Sequence, residues 1–144
     1  AVVAGGSDGG ADTKAFGMGH YATDLLIWLV REEKLKTVEE MHFQLSLKHA
    51  RSVGIKNRGA LLPGFKADIL IYDLDRLYFD MNKYEVVHDM PGGDWRRQAK
   101  AGGYDVIIVN GTITHENDNP TGMTPGSFDR VTSANAFSEI RAAV

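Results

Sequence analysis

The chain contains no cysteine. Without thiols there is neither a disulfide framework nor a thiolate metal site, a usage that suits a reducing compartment and makes cytoplasmic the expected location. Long hydrophobic runs are lacking too. The longest, "LLIWLV" at 25–30, falls far short of the roughly 20 apolar residues that cross a bilayer, and the first residues lack the charged start of a signal peptide. No membrane partner is expected. Charge of one sign is also scarce: 19 acidic and 16 basic residues are scattered through the chain for a formal net charge of -3. With no Lys/Arg stripe to neutralise a run of phosphates, nucleic acid is not expected as a partner.

What is present suffices for one core. At 144 residues and 43% hydrophobic content, the chain is expected to form one domain or part of one. It begins with Ala1, not Met, directly on an apolar run, which reads as the tail of a longer polypeptide. Residues 1–4 suit a buried strand closed by glycines. The segment "TDLLIWLVREEK" at 23–34 predicts a helix with Thr23 as N-cap, an acidic first turn and Leu25, Leu26, Trp28 and Leu29 around its surface. "TVEEMHFQLSLKHARSVG" at 37–54 predicts a second, with Thr37 and Glu40 as a capping box and Gly54 closing it. After that the period changes. A turn at Pro63 and Gly64 precedes a buried strand at 69–72, and strands at 106–109 and 112–114 flank Asn110 and Gly111, a strong hairpin signal. Between them, 74–103 reads as a long irregular loop, and the tail at 131–144 as a weak helix. Helices followed by strands without helices do not fit a doubly wound sheet, which would keep alternating.

The opening "AVVAGGSDGGAD" places Asp8 amid glycines. A phosphate loop is a poor account of it, since the central carboxylate would repel phosphate and neither G-x-G-x-x-G nor G-K-[ST] is present. A plain turn is the stronger account when the motif is taken alone, because Asp beside Gly is common turn chemistry. Its place after a buried apolar run leaves a catalytic role open, since parallel barrels carry their reactive groups at the carboxyl ends of strands.

Five stretches in order, "GGSDGGAD", "GHYATDLLIWLVRE", "RGALLPGFKADILIYD", "EVVHDMPGGDWRR" and "VNGTIT...TGMTPGSFDR", resemble the C-terminal part of the amidohydrolase superfamily in its D-aminoacylase and N-acyl-D-amino-acid deacylase branch. The resemblance runs from Ala1 to about Arg130. It implies an α/β fold: the C-terminal part of a (β/α)8 barrel, contributing its last strand and helices, followed by the C-terminal strands of a small β-sandwich. Residues 1–58 would end the barrel, 59–130 would give the sandwich strands with the loop at 74–103, and 131–144 would form the tail. Family members are metal-dependent hydrolases, and the resemblance implies that Asp8 is the catalytic acid/base at a metal-bound water and a possible metal ligand. The implied cofactor of the full-length parent is zinc or another divalent metal. A metal lowers the pKa of bound water, and a carboxylate beside it can take the proton and return it to the leaving amine. Asp12 stands where family members often carry His. The family's His-x-His pair is missing, and a complete barrel takes roughly 250 residues. The chain alone is therefore expected to be inactive, with no metal bound.

Arg96 and Arg97 could grip a substrate carboxylate, since guanidinium forks suit that group, or form salt bridges to Asp89 or Asp94 that hold their loop. His88 stands equally as a structural or a substrate-facing residue. His20 is read as solvent-facing, His42 and His49 as surface or packing residues, Trp28 and Trp95 as buried, and Asp68 as a structural residue whose carboxylate bonds backbone N–H groups at a turn. The implied substrate of the parent is a small-molecule N-acyl amide. The alternative is a non-catalytic structural or binding module derived from an amidohydrolase. Apolar faces that a missing barrel would cover predict a homo-oligomer or exchanged segments.

Overall fold

The computed structural model describes Lys14 and residues 20–128. The expected first strand, Asp8, Asp12 and the tail at 131–144 lie outside the described residues. Within them the chain is a mixed α/β structure of helices followed by two antiparallel sheets.

Helix α1 (Tyr21–Leu25) continues without a break into a wider, π-helical segment (Leu26–Glu32), where the Glu33 amide reaches the Trp28 carbonyl five residues back at 2.9 Å. The helix starts earlier than the Thr23 cap predicts. Thr23 is instead buried one turn inside, its hydroxyl 2.7 Å from that of Tyr104. The wider winding shifts the apolar stripe: Leu26, Ile27 and Val30 are buried, whereas Trp28 is 51% exposed. The expected burial of Trp28 is therefore corrected.

The second helical run comprises α2 (Val38–His42), a π-helical segment (Phe43–Leu47) and α3 (Lys48–Ser52). Thr37 and Glu40 form the predicted reciprocal box, Oγ1 accepting from the Glu40 amide at 3.2 Å and the Glu40 carboxylate from the Thr37 amide at 3.1 Å. Gly54 ends the run at φ 73°, where its amide bonds Arg51 and the Ile55 amide reaches back to Ala50 at 2.8 Å. Those two bonds satisfy carbonyls that a helix end leaves orphaned, and the left-handed residue they require is cheapest as glycine.

Strands β1 (Ile69–Tyr72), β4 (Tyr104–Val109), β5 (Thr112–Glu116) and β6 (Asn119–Pro120) form one sheet in the order β1-β4-β5-β6. The β4–β5 hairpin turns at Asn110 and Gly111, both at positive φ. The stretch 74–103 is not an irregular loop. After a 3-10 turn (Leu74–Arg76) it forms a two-stranded ribbon, β2 (Tyr78–Val87) with β3 (Arg96–Gly102), joined through a short turn (Pro91–Gly93). A bulge at 80–83 breaks the ladder's register, which removes the regular alternation that would have revealed a strand.

The core lies where the first helix, α2 and the start of the ribbon meet: Leu26, Ile27, Val30, Met41 and Leu77, with Tyr72, Phe79 and Tyr104 packed against them. Arg31 locks this junction. One guanidinium nitrogen donates to the carbonyls of Leu74, Asp75 and Leu77, at 3.2, 3.3 and 2.7 Å.

Candidate functional site

Among the described residues, the sequence-derived candidates converge on the ribbon. Alternation along β3 puts Arg96 and Arg97 on opposite faces, so one ligand group cannot be gripped by both from the strand itself. Arg96 is committed. Its guanidinium makes a two-pronged contact with Asp89, Nε to Oδ1 at 2.8 Å and Nη2 to Oδ2 at 2.6 Å. This is the loop-holding salt bridge foreseen for it. The hydrogen bond from Arg96 and its charge hold the Asp89 carboxyl below the usual carboxylate range, and Asp89 in turn raises Arg96.

His88 is exposed at the mouth of the same turn, where its Nδ1 donates to the Gly93 carbonyl at 3.2 Å. The amides of Gly93 and Met90 complete the closure by bonding the carbonyls of Met90 and Asp94. His88 thus joins Arg96 and Asp89 in shaping the connection.

Arg97 lies on the other face with a different set of neighbours. Arg97 and Ala99 of β3 share that side with Tyr84 and Val86 of β2, because Tyr84 pairs with Ala99 and Val86 with Arg97, and Trp95, just before β3, adjoins them. The Arg97 guanidinium sits over the Tyr84 ring at 5.4 Å and over the Trp95 ring at 5.7 Å, and the Lys14 ammonium sits over Trp95 at 5.0 Å. All three are within the distance at which a ring's negative face attracts a cation. Trp95, expected as simply buried, is a half-buried platform for two cations.

Lys14 is anchored twice. Its ammonium bonds Asp94 at 2.8 Å, and its carbonyl accepts from the Arg97 amide at 3.1 Å, so Lys14 lies at the edge of β3 that does not pair with β2. The hydrogen bond from Lys14, together with the Trp95 amide, lowers the Asp94 pKa. Neither Lys14 nor Tyr84 was singled out by sequence; the spacing Tyr84, Val86, Trp95, Arg97 becomes a single face only once the ribbon's register is known.

The remaining candidates play structural parts. Asp68 accepts from the Asn110 amide at 2.9 Å and pairs with Arg58, while Asn110 donates to the Pro125 carbonyl at 2.7 Å; Asp68 is structural as expected, but the turn it pins is the distant β4–β5 turn and not its own. His42 packs with its Nε2 2.6 Å from the Tyr72 hydroxyl, and burial lowers its pKa against a smaller opposing pull from Glu39. His20 corrects the expectation of a solvent-facing imidazole. It is only 7% exposed, stacks on Phe79 at 3.5 Å between centroids, and finds no hydrogen-bond partner for either ring nitrogen among the described residues. A groove of about 650 Å³ runs between α2 with its π-helical continuation and the β1–β4 pair; it is mostly apolar and contains none of His88, Arg96 or Arg97.

Among the described residues no group of three or more His, Asp or Glu could hold a metal ion. They do not fit the divalent metal that the family resemblance implies. Nor is any described helix long and apolar enough to cross a membrane.

No family model and no solved structure matches the chain. Two curated proteins do, in part. Over 70 residues the chain is 39% identical to a dihydroorotase of Lactobacillus gasseri and 40% identical to a dihydroorotase of Lactobacillus johnsonii, which is 46% of this chain and 16% of each relative. The chain thus spans about a sixth of the length of the relatives it matches. Dihydroorotases are members of the amidohydrolase superfamily, so over those 70 residues the chain is distantly and partially similar to members of that superfamily.

Proposed function

We propose that the chain is the C-terminal portion of a metal-dependent amidohydrolase that hydrolyses N-acyl amide bonds, with N-acyl-D-amino acids or related amides as substrates. The observation that carries this reading is the order of its five motifs, supported at the coarse level by the partial similarity to dihydroorotases. In this reading residues 1–58 belong to the end of a (β/α)8 barrel, and the strands from β1 onward belong to an accompanying β-layer. The metal, zinc or another divalent ion, would be held by parts of a longer parent, and the protein would work in the cytoplasm.

Asp8 is the residue assigned to proton transfer. Amide cleavage needs a proton taken from the attacking water and one delivered to the departing amine, and one carboxylate free of neighbouring bulk can do both. The glycines on either side leave space for a substrate to approach.

The test uses the intact parent. Asp8→Asn is expected to abolish turnover, a loss of at least about a hundredfold, while metal content measured by emission spectrometry stays at the wild-type level. Undiminished turnover of the variant would remove Asp8 from the mechanism. An upstream reading frame without a His-x-His strand would remove the hydrolase reading itself.

A further inference from the structure

Among the described residues, the charged groups of the ribbon pair off with one exception. Asp80 contacts Lys83, Glu85 contacts Lys100, Asp89 contacts Arg96, and Asp94 contacts Lys14, at 3.6, 3.0, 2.6 and 2.8 Å. Arg97 has no carboxylate partner among the described residues, although it is exposed and lies one residue from the Asp89–Arg96 pair. A side chain of this length left unpaired is normally mobile, but two aromatic rings and the backbone bond to Lys14 hold this one in place. A guanidinium fixed in this way loses little further freedom on binding, and its planar fork matches a carboxylate with two parallel hydrogen bonds.

We propose that Arg97, held over Tyr84 and Trp95 beside Lys14, is a receptor for a carboxylate, and that the ligand it receives is the acidic end of an N-acyl amino acid. This deepens the proposed function and rests on it for the identity of the ligand. Arg97, Trp95, Tyr84 and Lys14 form the site; Arg96, turned to the opposite face, is excluded from it. The apolar side chain of an amino acid has a natural neighbour in Val86, which is 53% exposed on the same face.

The experiment is a pair of titrations of the full 144-residue chain, followed by nuclear magnetic resonance at the indole N–H of Trp95 and the Nε–H of Arg97. One probe is N-acetyl-D-alanine, the other its neutral amide, which differs only at the carboxylate. Saturable shifts at both groups are expected with the acid and not with the amide, while the Trp28 indole stays still. Arg97→Gln should weaken the acid at least tenfold, Arg97→Lys should retain the fold and lose most of the affinity, and Arg96→Gln should bind as wild type.

Equal response to both probes, undiminished affinity in Arg97→Gln or Arg97→Lys, or equal loss in the Arg96 variant would overturn the assignment. The two proposals fail separately. A parent that needs Asp8 but hydrolyses acid and amide alike, with or without Arg97, keeps the hydrolase reading and sinks the receptor. Acid binding at Arg97 in a chain whose parent hydrolyses neither probe does the reverse.

Discussion

His20 shows how much a single side chain's surroundings matter. An imidazole buried against Phe79 has, among the described residues, no replacement for the bonds to water that both nitrogens give up, an arrangement that costs about 1–3 kcal/mol. His20→Phe keeps the ring and its stacking and removes the two unsatisfied atoms. It should raise stability in urea unfolding by about 1 kcal/mol; a loss of that size would show that the nitrogens are satisfied by residues outside those described. His42 gives the opposite kind of test. Its folded pKa is depressed, chiefly by burial, so between that value and about 6.5 the unfolded chain binds more protons than the folded one. Stability is then full above about pH 6.5 and falls as the pH drops toward the folded value. Thermal midpoints measured from pH 7.5 down to 5 should decline in the wild type and flatten over that window in His42→Gln. The acid losses from Asp89 and Asp94, whose pKa values are also lowered, belong to a separate window below the ordinary carboxylate range.

At the scale of elements, the junction between ribbon and sheet depends on backbone that only certain residues permit. Gly103 lies at φ 98°, where a Cβ would come within 2.3 Å of the Arg76 carbonyl oxygen. Its amide and that of Tyr104 both donate to the Asp118 carboxylate, at 2.9 to 3.0 Å. Gly103→Ala combines a disfavoured dihedral with a clash against main chain that cannot swing aside, and should cost well over 1 kcal/mol. A variant within a few tenths of wild type in chemical unfolding would show that the junction can open without consequence. Elements with local signals were legible in the sequence. The capping box at Thr37 and Glu40, the glycine closure at Gly54, the turn at Pro63 and Gly64, the position of the strand at 69–72 and the Asn110-Gly111 hairpin all follow from side chains acting on their own backbone, although the strand is not buried as expected, Leu70 and Ile71 being 47% and 48% exposed. The ribbon was not, because its pattern is interrupted by the bulge at 80–83 and its partners are brought together by the turn at 91–93. Thr23 departs from the expected cap for a related reason: its hydroxyl bonds Tyr104, far along the chain, in place of a nearby amide.

For the molecule as a whole, the β1-β4-β5-β6 sheet has one face bearing Ile69, Ile71, Val106, Ile108 and Ile113, as its register dictates. Ile71 and Ile113 remain 48% and 43% exposed, and Leu70 on the other face is 47% exposed. Antiparallel sheets tolerate one face in water when that face is polar; a sheet apolar on both sides calls for a cover. The isolated chain is therefore expected to self-associate, and sedimentation velocity should show species larger than 15.8 kDa that grow with concentration. A monomer across the accessible range would contradict this.

Sequence by itself determined the features whose causes are near in the chain: the Thr37–Glu40 capping box, the closure at Gly54, the tight turns, the lack of thiol chemistry and the order of motifs that resembles an amidohydrolase. The tertiary structure alone decided which face each residue occupies. Arg96 and Arg97 are adjacent in sequence and equal in chemistry, yet one is neutralised by Asp89 and the other rests on two aromatic rings. The physical reason is the two-residue period of a strand, which sends neighbours to opposite sides once a partner strand has fixed the register.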